Sequence, residues 1–193
     1  MHSGNEPFIN DNKKTDYTVL DFWKWAYDDF INNVQRGVLA EYIVATAIGT
    51  IDMPEEKHRV MWRPYDLLSP EGWKVEVKCA AHVQSWDAKH PGHISYSIAP
   101  TRVPDETGDY KDDAPKQRNS DCYVFALYKA TSADENMLDL SLWEFYVLKT
   151  SVLDKEKPNQ KSITLPSLLA LNPVKCSYEG LREGLRTAME REG

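Results

Sequence analysis

The sequence predicts an α/β domain with a mixed central β-sheet flanked by helices. Periodicity gives the order helix, helix, β-hairpin, three strands and a closing helix, and this order is typical of helices packed on a sheet. The run CYVFALY at 122–128 is almost continuously apolar, which indicates a strand buried on both faces. The stretch KVEVKC at 74–79 alternates instead, which indicates a strand with two different faces.

Length and composition are those of a globular chain. The 193 residues suffice for one domain with a sizeable core, and 41% hydrophobic and 27% charged residues are ordinary proportions. We expect a polar arm at 1–16, followed by a single domain at 17–193. No apolar run reaches membrane-spanning length, and the first residues lack the apolar core of a signal peptide.

Charge and cysteine usage restrict the function classes. A net charge of −7 opposes a large nucleic-acid surface but is compatible with a local basic cleft. Cys79, Cys122 and Cys176 are odd in number and widely spaced, without zinc-ligand spacing. They indicate reduced thiols in a cytoplasmic protein.

Two helices are predicted before the hairpin. The first begins near Tyr17 and is so rich in aromatic residues that we expect it to cover the core. The second runs from about Asn33 to a stop at Gly49.

Glu41 occupies an unusual position on that second helix. At 100° per residue it falls within a stripe formed by Val34, Val38, Ala45 and Ile48. A carboxylate facing a core requires a partner. The partner is either a metal ion or a buried arginine, such as Arg36 or Arg63, unless Glu41 lies at the edge of the core.

The hairpin at 60–80 turns at Ser69-Pro70-Glu71-Gly72. Proline suits the second position of the turn, and glycine suits the fourth, where the backbone adopts a left-handed conformation. This order favours a three-residue loop with a glycine bulge. Ser69 then pairs with Trp73, and counting back along both arms places Asp66 opposite Glu76.

This register brings three charged side chains to one face. Glu76 and Lys78 share a face of their strand because side chains alternate, and the opposed Asp66 lies on the same face. Two facing carboxylates repel each other unless a cation or a proton lies between them. Oxygen ligands at this spacing suit Mg²⁺, for which Mn²⁺ can substitute, better than zinc.

The second half of the chain supplies the remaining strands and helices. Strands are predicted at 94–99, 122–128, 142–149 and 162–165. Short helices are predicted at 151–157 and 166–171, and Ser177 is expected to cap the last helix. Leu181, Leu185, Ala188 and Met189 form its predicted buried stripe.

The order of acids resembles the PD-(D/E)XK nuclease superfamily, whose fold is restriction-endonuclease-like. That family places an acid on the first core helix, an aspartate on a strand and E-x-K on the next strand. Glu41, Asp66 and the pair Glu76 and Lys78 match these positions. The family's proline departs by one place, because Tyr65 separates Pro64 from the aspartate. The E-V-K strand followed by Q-S-W is also similar to an uncharacterised bacterial group in the superfamily.

The resemblance implies Mg²⁺-dependent hydrolysis of phosphodiester bonds in nucleic acid, with DNA as the expected substrate. Asp66, Glu76 and the carbonyl of Val77 would hold the metal, and Glu41 would contact it directly, through water or at a second metal position. Lys78 would orient the attacking water or stabilise developing charge.

Two further residues and one partner remain open at this stage. Gln84 resembles a polar residue that some members carry after the E-x-K strand, and with Ser85 it could reach a phosphate or a metal-bound water. Cutting both strands of a duplex usually requires two sites, so a homodimer is a plausible assembly.

Two alternatives stay open beside the nuclease. The chain could be a nucleic-acid-binding or assembly module that keeps the fold without catalysis, which metal titration would reveal. It could also be an unrelated α/β protein in which Asp66 and Glu76 form salt bridges with Lys74 and Lys78. In that case the four matched side chains would not converge on one site.

Overall fold

The computed structural model describes residues 2–60, 63–83, 93–102 and 115–191. Its strands are β1 (Pro7–Asn10), β2 (Lys13–Thr18), β3 (Leu67–Leu68), β4 (Lys74–Ala81), β5 (Ser95–Ser97), β6 (Cys122–Tyr128), β7 (Trp143–Lys149), β8 (Ser162–Thr164) and β9 (Val174–Cys176). Its α-helices are α1 (Val19–Ala26), α2 (Asn33–Ile48), α3 (Thr150–Glu156), α4 (Leu165–Leu169) and α5 (Leu181–Glu190). Short 3₁₀ helices occupy Thr50–Asp52, Pro54–Glu56 and Leu140–Leu142.

A five-stranded mixed sheet forms the centre, as the sequence predicted. Its order is β3-β4-β6-β7-β9, with β4 and β6 parallel and the other neighbours antiparallel. The strand β9 was not predicted, because its three residues are too few to show alternation. The predicted strands around 94–99 and 162–165 form a separate antiparallel pair, β5 with β8.

Helices pack on both faces of this sheet. One face carries Val75, Val77, Val124 and Phe145 against α2 and α5. The other face carries Tyr123, Phe125 and Tyr146, and it packs against buried residues of β5, β8, α3 and α4. The central strand β6 is buried along its whole length, because both of its faces are covered.

The helix α2 has the predicted limits but a rotated buried face. The side chain of Asn32 caps its start by accepting from the Val34 N–H, and Gly49 ends it with φ +84°. Val34 is 77% exposed, so its place in the predicted stripe is wrong. The buried face is centred on Ala40 and Val44, which leaves Glu41 at its border rather than in its middle.

The N-terminal segment is more ordered than predicted. Where we expected a loose polar arm, β1 and β2 form an antiparallel hairpin. Asp11 and Asn12 make its turn with φ +47° and +62°, a conformation that these residue types tolerate well. The division into an arm at 1–16 and a domain at 17–193 stays a prediction.

The aromatic helix α1 does not cover the core, so that expectation is wrong. None of its eight residues, all within the described part of the chain, is buried, and Trp25 is 82% exposed. The helix packs instead on the N-terminal hairpin. There the backbone of Gly4 lies so close to the Trp23 ring that an added Cβ would come within 3.2 Å of it.

The last helix, α5, packs as predicted but begins later. Leu181, Leu185 and Ala188 are buried against the sheet. Its N-cap is Gly180 rather than Ser177, because β9 and the turn after it occupy the preceding residues. Among the helices in the described ranges, none combines the length and apolar character needed to cross a bilayer.

Candidate functional site

The turn of the β3–β4 hairpin has the predicted geometry. The Gly72 N–H donates to the Ser69 carbonyl at 2.9 Å, and the Ser69 N–H donates to the Trp73 carbonyl at 2.9 Å. Gly72 has φ +88°, the left-handed conformation that the sequence assigned to it. The predicted pairing of Ser69 with Trp73 is therefore confirmed.

The same register positions Asp66. Leu68 pairs with Lys74 and Leu67 with Val75, as the residue count predicted, but the ladder ends there, so the predicted pairing of Asp66 with Glu76 stays a prediction. Asp66 lies immediately before β3. Its backbone N–H donates to the Val75 carbonyl at 3.1 Å, and its Oδ2 accepts from the Val77 N–H at 2.8 Å.

Val77 presents backbone groups to Asp66 at the edge of the sheet. In a strand, the N–H and the C=O of one residue point towards the same neighbouring strand. Because the Val77 N–H points to Asp66, the Val77 carbonyl faces the edge on which Asp66 lies. The short β3 covers only the first part of β4 on this side. The Val77 carbonyl therefore points to the side of β4 on which Asp66 lies, and its role as a metal ligand stays a prediction.

Glu76 and Lys78 form the second part of the site. They lie on the sheet face opposite α2, because Val75 and Val77 are buried against α2. The Lys78 ammonium donates to Glu76 Oε1 at 2.5 Å. This ion pair is one of those expected if the acids served only as salt-bridge partners.

Tyr123 lies beside Glu76 on the neighbouring strand β6. Burial raises the pKa of its phenol to about 12, and the negative charge of Glu76 adds to this effect. The phenol therefore stays protonated at neutral pH, and its side-chain hydrogen bond is with Ser120. The sequence analysis did not single out Tyr123, because it is one residue of a continuous apolar run.

Glu41 reaches the site from α2 and is held by an arginine that was not predicted. Arg59 donates to both carboxylate oxygens, with Nε to Oε2 at 2.5 Å and Nη2 to Oε1 at 2.9 Å. The expected partners Arg36 and Arg63 bond elsewhere. Arg36 donates to the Ile31 carbonyl, and Arg63 pairs with Glu56 at 2.6 Å. Glu41 therefore has an arginine partner, but the partner is neither of the two named arginines and it is exposed rather than buried. Its position at the edge of the core agrees with the third expectation.

Glu41 and Asp66 line one cavity of about 150 Å³. Arg59, His58, Tyr42 and Ile51 complete much of its wall. The cavity thus joins the helix acid to the aspartate of the hairpin and carries cationic groups at its rim.

The pKa of Asp66 is raised above its ordinary value. Burial is the largest cause and the negative charge of Glu76 the next, and against the opposing effects of Lys78 and the Val77 N–H they raise the pKa to about 6. Glu41 and Asp66 line one cavity, whereas Glu76 and Lys78 lie on the sheet face opposite α2. The convergence of all four side chains, which would separate the nuclease interpretation from isolated surface salt bridges, therefore stays a prediction.

The donor set suits a hard divalent cation in its chemistry. Mg²⁺ is commonly held by one or two carboxylates and keeps several waters. Asp66, Glu76 and the Val77 carbonyl have the chemistry of such a set, and a cation beside Asp66 would offset the burial and the repulsion from Glu76 that raise its pKa. In the ranges that the structure describes, no three His, Cys, Asp or Glu side chains are gathered into a metal-holding group. Gln84 and Ser85 lie outside the described residues.

Comparison with known proteins identifies the family. A family model described as bacteriophage T4 endonuclease IV matches residues 3–165, well over half of the chain. The matched range contains Glu41, Asp66, Glu76 and Lys78. A search of curated proteins gives no match. Because the match covers most of its length, the chain belongs to the bacteriophage T4 endonuclease IV family.

Proposed function

We propose that the protein is a metal-dependent nuclease that hydrolyses phosphodiester bonds of nucleic acid, with DNA as the expected substrate. The family match supports nuclease activity. The observation that carries the proposal is that Asp66 accepts from the Val77 N–H and shares a cavity with Glu41, while Glu76 and Lys78 flank Val77 on the same strand as an ion pair. This placement supports a site of the PD-(D/E)XK type.

Asp66, Glu76 and the Val77 carbonyl would hold Mg²⁺ or Mn²⁺, and Glu41 would contact the ion directly or through water. A divalent ion bound there lowers the pKa of a bound water and neutralises negative charge on the scissile phosphate. Glu41 first has to separate from Arg59, because both of its carboxylate oxygens accept bonds from that guanidinium.

Lys78 supplies the remaining charge at the reacting phosphate. Its ammonium lies on Glu76 and is partly exposed, so it reaches both the carboxylate and the adjoining solvent. From that position it orients the attacking water or stabilises charge that develops on the phosphate.

A nuclease assay with Mg²⁺ or Mn²⁺ on single-stranded DNA, duplex DNA and RNA tests the proposal. We expect cleavage that EDTA abolishes. Glu76→Gln and Lys78→Met should each lower the rate by about 100-fold or more, a loss typical of removing one stabilising group from an active site. Glu156→Gln and Lys155→Met are matched controls on the exposed surface of α3 and should cleave at the wild-type rate.

The second candidate function is a binding or assembly module without catalysis. The ion pairs Lys78–Glu76 and Arg59–Glu41 favour it, because both glutamates already have cationic partners. Such a module would bind nucleic acid but leave it intact with either metal. Cleavage that survives Glu76→Gln and Lys78→Met would place the active site elsewhere and contradict the assignment of these residues.

The homodimer stays a prediction, since the structure contains one chain. Light scattering coupled to size-exclusion chromatography measures the mass directly. A dimer would double the 22.2 kDa of the single chain.

A further inference from the structure

The guanidinium of Arg59 lies between the site and solvent. It binds both oxygens of Glu41, yet its own side chain is 46% exposed, whereas that of Glu41 is only 14% exposed. Arg59 also lies outside helices and strands, between the 3₁₀ helix Pro54–Glu56 and β3. The arginine therefore closes the Glu41 side of the cavity without being packed into the core.

The charge environment makes this arginine part of the site. Its bond to Glu41 raises the pKa of Arg59, and the negative charge of Asp66 adds to the rise. One guanidinium thus responds to two of the acids that would surround a metal ion. A cation held by Asp66 would repel Arg59 and would compete with it for Glu41.

The shape of the Arg59 guanidinium indicates what it can bind after it separates from Glu41. A guanidinium presents a planar fork of N–H donors that matches a carboxylate and a phosphate oxygen pair equally well. The bidentate contact with Glu41 shows that the fork is already oriented at the mouth of the cavity. A phosphodiester approaching the carboxylates would meet Arg59 there.

We propose that Arg59 is a substrate-binding residue that exchanges ligands. Without metal it neutralises Glu41, and when a divalent ion and substrate bind it leaves Glu41 and grips a phosphate of the nucleic acid. This inference rests on the proposed function, because it requires a metal ion and a phosphodiester at the same site.

The exchange predicts that removing Arg59 strengthens the binding of Mn²⁺ and weakens the binding of nucleic acid. Arg59→Ala frees Glu41, so Mn²⁺ should bind about 2- to 5-fold more tightly, the range expected when an exposed ion pair no longer competes. The same variant should raise the KM for nucleic acid by about 10- to 100-fold, because a charge-assisted contact is lost, with a smaller change in kcat. Arg59→Lys should keep part of the substrate affinity, since it retains the charge without the fork.

A matched control separates this role from that of an ordinary ion pair. Arg186 in α5 is 41% exposed and donates to Glu71 Oε1 at 2.8 Å and 3.1 Å, away from the carboxylate site. Arg186→Ala should leave the Mn²⁺ affinity and the KM at wild-type values. Circular dichroism establishes that each variant is folded before it is compared.

The experiment combines calorimetric titration of Mn²⁺ into the metal-free protein with steady-state cleavage kinetics. Tighter Mn²⁺ binding together with a raised KM in Arg59→Ala, and partial recovery of KM in Arg59→Lys, support the exchange. If the wild type binds Mn²⁺ and cleaves, but Arg59→Ala behaves as Arg186→Ala does, the role of Arg59 alone is overturned. If the wild type neither binds Mn²⁺ nor cleaves, the proposed function and the exchange fall together.

Discussion

At the scale of single residues, Asp66 holds the least favourable charge in the site. Burial and, to a smaller extent, the negative charge of Glu76 raise its pKa to about 6. Ionising Asp66 therefore costs free energy in the folded state that it does not cost in the unfolded state. The Val77 N–H offsets only part of this cost. A group with such a raised pKa is typical of functional sites, where local stability is sacrificed for chemistry.

Replacing this carboxylate should therefore stabilise the metal-free protein. The folded state holds a proton on Asp66 up to about pH 6, whereas the unfolded state loses it near the ordinary value of 3.8. Stability from this group thus falls as pH rises through that window, and the full cost is present above about pH 6. In EDTA at pH 7.5, Asp66→Asn should raise the free energy of unfolding by about 1–3 kcal/mol. The gain should disappear near pH 4.

Urea unfolding at pH 4, 5, 6 and 7.5 measures this dependence. Asp28→Asn removes a carboxylate at an exposed position and serves as the control, with an expected change within about 0.5 kcal/mol. A gain that is the same at all four pH values would contradict the raised pKa as its cause. So would a loss of stability at pH 7.5.

At the scale of elements, α1 and α5 show how similar sequence patterns reach different environments. Both carry apolar residues at helical spacing. The apolar residues of α5 are buried on the central sheet, whereas α1 lies on the N-terminal hairpin and keeps its aromatic residues in solvent. Periodicity identifies a helix and its apolar side, but the surface that receives this side is decided by tertiary packing.

Paired substitutions in these two helices test the difference. Leu185 is fully buried, so Leu185→Ala should lower the free energy of unfolding by about 2–5 kcal/mol. Trp25 is 82% exposed, so Trp25→Ser should change it by no more than about 0.5 kcal/mol. Urea unfolding followed by far-ultraviolet circular dichroism avoids the change in tryptophan fluorescence. A loss above about 1 kcal/mol in Trp25→Ser would mean that α1 packs on the core after all.

Local geometry accounts for what the sequence could predict. The hairpin register follows from Pro70 and Gly72, and the end of α2 follows from Gly49, because each depends on backbone preferences within a few residues. The face shared by Glu76 and Lys78 follows from the alternation of a strand. These rules placed Glu76 and Lys78 on one face of β4, but they did not place Asp66, whose carboxylate turns to the Val77 N–H at the sheet edge and lines a cavity with Glu41 instead of sharing that face.

The features that could not be predicted depend on tertiary structure, namely the path of a loop and the order of the strands. Arg59 lies 18 residues after Glu41, and nothing local distinguishes it as a partner from Arg36 or Arg63. The sequence contains the needed cation but not the path of the loop that delivers it. The buried position of Tyr123 beside Glu76 likewise depends on which strands are neighbours.

At the scale of the whole molecule, a net charge of −7 coexists with a local concentration of cations. Lys57, Arg59, Arg63, Lys74 and Lys78 all belong to the stretch that carries the hairpin acids. The Arg63 and Lys74 side chains lie over the Tyr65 ring, at 5.6 Å and 5.8 Å from its centre. Three of these cations are paired with glutamates, so a phosphate that approaches this edge has to displace a carboxylate or meet a bound cation.

The site also joins parts of the fold that separate on unfolding. Glu41 comes from the helix on one face of the sheet, Glu76 and Lys78 point to the other face, and Asp66 lies at the edge between them. The unfolded chain does not hold these groups together. Binding of a divalent ion should therefore be linked to global folding.

This linkage can be measured as added stability. Mn²⁺ that binds only the folded chain raises the free energy of unfolding by about 2.7 kcal/mol when its concentration is 100 times its Kd. We expect such a shift in the wild type at pH 7.5, and its loss in Asp66→Asn and Glu76→Gln, because each removes a ligand. Glu183→Gln changes an exposed carboxylate of α5 and should keep the full shift. If Mn²⁺ raised the free energy of unfolding equally in Asp66→Asn and in the wild type, the ion would bind elsewhere. Asp66 would then not be a metal ligand.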